Sequence, residues 1–264
     1  YRGSPFFFVP VVDASTFHLW AQAINDGTVF APGVYSKPPL YPYFLAAIYK
    51  LFGPRPEPVY AIQALLGAGT CVATLALGRR YFAPRVALAG ALVYALLPIP
   101  ASLEFQFLAE PLTTFLTLAA LLLLVVQPTR AGRTVLAGVC LGIATLGRPN
   151  LLVLVPVLAG WLWFAAGRRR GPVAALVIGA ALAIAPATLH NLRAGAFVPV
   201  SANGGVNLWT GVQPGADGVT AIPHTGGCGG PYPQAGACQR GTHENTLRIL
   251  GQHIGHPNVG AVLL

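Results

Sequence analysis

The chain has 264 residues, 55% of them hydrophobic and 9% charged, with mean hydropathy +0.63 and a formal net charge of +9. Soluble domains carry about 25% charged residues, so an ordinary water-soluble domain is excluded. The positive charge does not call for nucleic acid, because half of the basic residues sit in three short loops and no basic stripe is interleaved with aromatics.

The chain opens on Tyr1-Arg2-Gly3 and contains no Met; its tail, Gly260-Ala261-Val262-Leu263-Leu264, resembles the start of another apolar span. It reads as an internal fragment of a longer membrane protein, with Phe6-Phe7-Phe8-Val9 as chain emerging from a bilayer. Residues 13–26 suit a helix that Asp13 can cap, with Phe17, Trp20, Ala21 and Ile24 at i, i+3, i+4 and i+7 and Gly27 as its stop. It is too short to span a bilayer, and its stripe and Trp20 predict a helix lying at the membrane interface. Ser36-Lys37-Pro38-Pro39-Leu40 follows, where two adjacent prolines stiffen the backbone beside Lys37. A second short helix is expected over 43–52, ended by Gly53-Pro54, and its aromatics and Lys50 again point to the interface.

Six apolar spans come next, at residues 59–77, 86–103, 112–126, 135–146, 151–166 and 173–189. They occur in helix-length blocks without alternation, which favours transmembrane helices over an outer-membrane barrel. Arg79, Arg80 and Arg85, then Arg130 and Arg133, then Arg168, Arg169 and Arg170 fill the tight loops after the first, third and fifth spans. Short Lys/Arg loops stay cytoplasmic, so the opposite connections, with Asp13, Lys37, Glu110 and Arg148, face outward. The fourth and fifth spans form a hairpin broken at Gly147-Arg148-Pro149-Asn150. Its first arm, counted from Thr134 to Leu146, covers only ~20 Å against a hydrocarbon core of about 30 Å. Arg148 is therefore expected at or below headgroup level, where a guanidinium requires an anion.

Beyond His190-Asn191, Gly, Pro, Asn and Ser dominate as far as Thr242, which marks an outer loop region. Three segments result: a first outer loop with interfacial helices over 1–58, a helix bundle over 59–189, and an outer loop with the start of a further helix over 190–264. Cys71 and Cys140 fall inside spans and are read as buried small residues. Cys228 and Cys238 flank an outer Gly/Pro-rich loop, where an oxidising compartment allows a disulfide. His224, His243 and His256 show no metal-ligand spacing.

Asp13, Leu77-Gly78-Arg79-Arg80-Tyr81-Phe82, Ala109-Glu110-Pro111-Leu112, Gly147-Arg148-Pro149-Asn150, the Ser36-to-Leu40 turn and the 197–209 stretch occur in a telling order. The order resembles that of polyprenyl-phosphate-dependent membrane glycosyltransferases of the GT-C fold, the group of protein O-mannosyltransferases and lipid A aminoarabinose transferases. The resemblance implies an all-α integral membrane bundle in a bacterial plasma membrane, with its active site facing outside. It implies a polyprenyl-phosphate sugar donor and a lipid, glycan or protein acceptor. By the same resemblance Asp13 is the catalytic base, Glu110 a second site acid, and Lys37 and Arg148 hold the lipid phosphate. No cofactor follows with certainty. Some relatives carry a metal-binding acid where this chain has Ser36, which puts a divalent metal in question.

Each residue also has a plainer reading. Asp13 suits an N-cap, Glu110 before Pro111 suits a helix start, and Lys37 suits an anchor snorkelling to headgroups. The rival function is a lipid or sugar transporter or flippase, which would place charges near the midplane with repeat symmetry; neither is visible. A non-catalytic scaffold leaves the convergence of four charged residues without a reason.

Overall fold

A computed structural model describes residues 13–127 and 129–202. All of these belong to one compact unit, Tyr1–Thr225; a second unit, Gly226–Leu264, lies outside the described residues. The described residues are helical, with no strand among them. In chain order the helices are α1 (Asp13–Asn25), α2 (Leu40–Phe52), α3 (Pro56–Tyr81), α4 (Pro84–Leu96) and α5 (Pro98–Leu103). Then come α6 (Glu110–Val126), α7 (Ala131–Gly147), a 3₁₀ turn (Pro149–Val153), α8 (Leu154–Ala165) and α9 (Arg170–Arg193).

Proline sets most of the starts. Pro56, Pro84, Pro98, Pro111 and Pro149 each stand in a first turn, where a missing N–H leaves no bond unmade. Arg55 and Arg148 are correspondingly extended, as residues before proline prefer. Pro98 also cuts the second expected span: α4 stops at Leu96, and Leu97 is extended. Residues 86–103 are thus two helices of 13 and 6 residues, not one continuous span. Helix α2 begins at Leu40, three residues before its expected start, because Pro42 falls in the first turn and is tolerated there. Gly27 and Gly53 end α1 and α2 with φ of 105° and 78°.

Among the described residues, α3 and α9 are long and apolar enough to cross a membrane; α4, α6, α7 and the 149–165 segment are shorter apolar helices. Helix α7, with 17 residues, spans ~25 Å, still short of a hydrocarbon core. Outward faces are apolar: Leu65, Leu96, Val157, Phe164 and Leu182 are all exposed. Threonines within these helices donate to their own backbone, Thr74 to Thr70 O at 2.8 Å, Thr117 to Thr113 O at 2.7 Å and Thr145 to Leu141 O at 2.8 Å. Such self-satisfaction suits helices surrounded by lipid, which supplies no partners.

Two cores form. One gathers Phe17 and Ala21 of α1, Tyr41, Leu45, Ile48 and Tyr49 of α2, Val59 and Tyr60 of α3, and Phe107. The stripe of α1 is therefore covered by protein, and Trp20, expected at the lipid interface, is buried between Tyr35 and Tyr43. An apolar stripe reports only a preference to leave water, and here neighbouring helices satisfy it. The other core joins Ala120 and Leu124 of α6, Ala137 and Leu141 of α7, Val155 and Leu162 of α8, and Leu176 and Ala180 of α9. Cys71 and Cys140 are half-buried free thiols, not the fully buried residues expected.

Helices α7 and α9 meet backbone to backbone. A Cβ on Gly138 would strike the Leu176 carbonyl and come within 2.9 Å of the Ala180 nitrogen; one on Gly179 would strike the Val135 carbonyl. Backbone cannot yield as a flexible side chain does, so overpacking here should cost about 1–3 kcal/mol. Gly179→Ala is expected to lower the thermal unfolding midpoint in detergent, while Gly160→Ala, with open space around it, should not. Equal midpoints for the two variants would refute this packing.

Candidate active site

The four charged residues singled out from the sequence form two ion pairs. Asp13 opens α1 and Lys37 stands in the turn before α2; the Lys37 ammonium donates to Asp13 Oδ1 at 2.6 Å. The ammonium also reaches within 3.5 Å of the Thr16 hydroxyl and lies 6.0 Å from the centre of the Phe17 ring. Lys37 is the sunken partner, with its side chain 14% exposed against 43% for Asp13. Glu110, in the first turn of α6, accepts a bond from the Arg148 guanidinium at the end of α7. Here the cation is the more open member, 47% exposed against 25%.

Gly147, the residue before Arg148, lets three elements close on it. A Cβ at Gly147 would lie 2.5 Å from Thr113 Cγ2, 3.1 Å from Leu40 Cδ2 and 3.7 Å from Ala109 Cβ. Those neighbours flank Glu110 and Lys37 in sequence, while Arg148 is the next residue after Gly147. The end of α7, the start of α6 and the start of α2 thus meet through small apolar contacts.

The backbone leading to Lys37 is fastened to the end of α9. Asn191, fully buried, accepts from the Tyr35 N–H at 2.9 Å and donates to the carbonyls of Val198 and Val200 at 2.9 and 3.0 Å. The Ala202 N–H donates to the Tyr35 carbonyl at 2.8 Å. His190 donates from Nε2 to the Gly33 carbonyl at 2.8 Å, and its ring stacks on Phe30 and lies tilted against Tyr35. The sequence offers a signal for this clamp: an Asn at the end of an apolar helix needs partners once buried. Thr16 was not singled out either, although it lies one turn after Asp13.

Burial also acts on ring groups of α1 and α2. Burial pushes Tyr41 and Tyr43 above the usual phenol range, and a bond from Tyr35 only partly offsets this for Tyr43. Burial lowers His18, whose Nδ1 lies 2.8 Å from the Tyr49 hydroxyl. Among the described residues no three His, Cys, Asp or Glu side chains gather closely enough to hold a metal ion. The disulfide expected between Cys228 and Cys238, together with Trp209, His224, His243 and His256, lies outside the described residues.

The sequence profile of the dolichyl-phosphate-mannose-protein mannosyltransferase family matches residues 36–190, more than half of the chain. The match takes in Lys37, Glu110 and Arg148 and begins after Asp13. A second profile, D-galactarate dehydratase/Altronate hydrolase, second domain, matches residues 173–264, about a third of the chain, from within α9 onward. No curated protein and no solved structure matches the chain.

Proposed function

The chain belongs to the dolichyl-phosphate-mannose-protein mannosyltransferase family, and from that premise we propose that it transfers a sugar from a polyprenyl-phosphate donor at the outer face of a membrane. The observation that supports the site assignment is that each acid is paired with a base, Asp13 with Lys37 and Glu110 with Arg148. The acceptor is a hydroxyl or amine of a lipid, glycan or protein. Besides α3 and α9, the α4–α5 segment, α6, α7 and the 149–165 segment also cross the bilayer, with the arginine loops cytoplasmic.

In the reaction the acceptor oxygen or nitrogen attacks the anomeric carbon as the bond from that carbon to the phosphate oxygen breaks. The bonding pair leaves with the polyprenyl phosphate, and the acceptor proton passes to the Asp13 carboxylate. One displacement with one base inverts the anomeric centre. The Lys37 ammonium and the Arg148 guanidinium receive the charge growing on the phosphate; in a water-poor site such clamps supply several kcal/mol. An arriving phosphate draws Lys37 away from Asp13 and leaves the carboxylate free to take a proton. Glu110 holds Arg148 in place until then. The bundle-end location of the charges, and not a midplane one, supports transfer over transport.

The test is to incubate membranes containing the full-length natural protein with polyprenyl-phosphate sugars labelled in the sugar. Label should move to an acceptor, with loss of transfer in Arg148→Ala. Sidedness is read in intact cells with an impermeant thiol reagent, in a background lacking native cysteines. Glu57→Cys should react and Arg130→Cys should not; the reverse pattern would put the active site in the cytoplasm.

A further inference from the structure

Gln63 lies in the second turn of α3, on the buried face it shares with Val59, Tyr60, Gly67 and Thr70, and it is fully buried. Its amide is completely used. Oε1 accepts from the Tyr41 hydroxyl of α2, and Nε2 donates to the carbonyls of Glu104 at 2.7 Å and Gln106 at 2.8 Å. One side chain thus joins three separate pieces: the membrane helix α3, the helix that follows Lys37, and the connection that leads into Glu110. The rings of Phe105 and Phe107 also pack that connection against Tyr60 of α3. Its own bonds are short-range, such as Gln106 N–H to Leu103 O at 3.3 Å and Leu108 N–H to Gln106 O at 2.9 Å. Phe107 and Ala109 are buried beyond the anchored carbonyls, so the anchored stretch continues directly into the contact of Ala109 with Gly147.

We infer that Gln63 is a positioning residue: by holding the 104–106 backbone against α3, it sets the place of Glu110 and, through the ion pair, of Arg148. The inference rests on the proposed transfer reaction for its activity readout. An amide is the group the position requires, since two donors and one acceptor are needed at once. A carboxylate of the same shape keeps the acceptor for Tyr41 but opposes two carbonyls with negative charge. A thioether of similar length offers neither donor.

The experiment compares the full-length natural protein with Gln63→Glu, Gln63→Met and Gly179→Ala in nanodiscs. Gly179→Ala overpacks α7 against α9 and leaves both Gln63 bonds to the connection in place, so it controls for stability alone. Amide hydrogen exchange over residues 104–110 should rise in both Gln63 variants and stay near the parent in Gly179→Ala. Sugar transfer should fall about 10- to 100-fold in the Gln63 variants, the scale expected when a reacting group is displaced by a fraction of an ångström to an ångström. In a Glu110→Gln background the same Gln63 changes should cost much less, because the group they position has already been altered.

Unchanged exchange over 104–110 would overturn the inference, as would a loss of transfer equally large with and without Glu110→Gln. A parent that transfers no sugar defeats the glycosyltransferase reading instead. The exchange measurement then still decides whether Gln63 holds the connection.

Discussion

Asp13→Asn is expected to lower sugar transfer at least ~10²-fold while leaving the protein folded, the lower range for loss of a general base. The variant separates two roles that one carboxylate can fill. Asn caps a helix about as well as Asp, and its Oδ1 can still accept from the Lys37 ammonium that Asp13 now engages at 2.6 Å. What disappears is the capacity to take a proton. The lost charge faces an ammonium that is largely sunk, but Asp13 itself is 43% exposed, so the stability cost should stay within about 1 kcal/mol. Turnover is measured in membranes with labelled donor, and stability by thermal unfolding of the purified protein. Full activity in Asp13→Asn would return this residue to a capping and pairing role.

Lys37→Ala and Arg148→Ala should each weaken binding of a polyprenyl phosphate about 10- to 100-fold, the equivalent of one hydrogen bond to a charged group at ~1.5–3 kcal/mol. The pairing adds a second contribution of the same sign. Without Lys37 the Asp13 carboxylate is left facing the phosphate, and without Arg148 the Glu110 carboxylate is, so each truncation also introduces repulsion. The double variant should lose less than the sum of the two if both cations touch one phosphate. Arg148→Lys keeps the charge but loses the planar fork, and should fall between parent and Ala. Binding is measured on the purified full-length protein in nanodiscs. Unchanged affinity in both single Ala variants would make these cations membrane anchors and move the donor site elsewhere.

Much of this site is legible in the residues. Pro111 marked the helix start beside Glu110, and Gly27 and Gly53 marked where the short helices stop. The same rule carried further would have shown the break at Pro98, where a long apolar run looked continuous because apolar character has no memory of backbone geometry. The stripe of α1 was legible as a stripe, and its destination was not. Phe17, Trp20 and Ala21 would satisfy a lipid interface and a protein core equally well; the helices that cover them are placed by packing over long separations. Gln63 was invisible for a related reason: a single Gln in an apolar helix has no pattern until its three partners, 22, 41 and 43 residues away, are in place.

By itself the sequence determined that the chain is a helical membrane-type protein, that eight of its arginines gather in three short stretches, and that Asp13, Lys37, Glu110 and Arg148 stand in other connections. Those are properties of composition and local order, set by the cost of burying charge and by the backbone limits of proline and glycine. Only the tertiary structure decided which acid meets which base. Asp13 with Lys37 and Glu110 with Arg148 are joined across 24 and 38 residues, and Tyr35 is tied to Asn191 across 156. Such pairings depend on how closely helices approach, and that distance is set where Gly147, Gly138 and Gly179 leave no side chain between neighbouring elements.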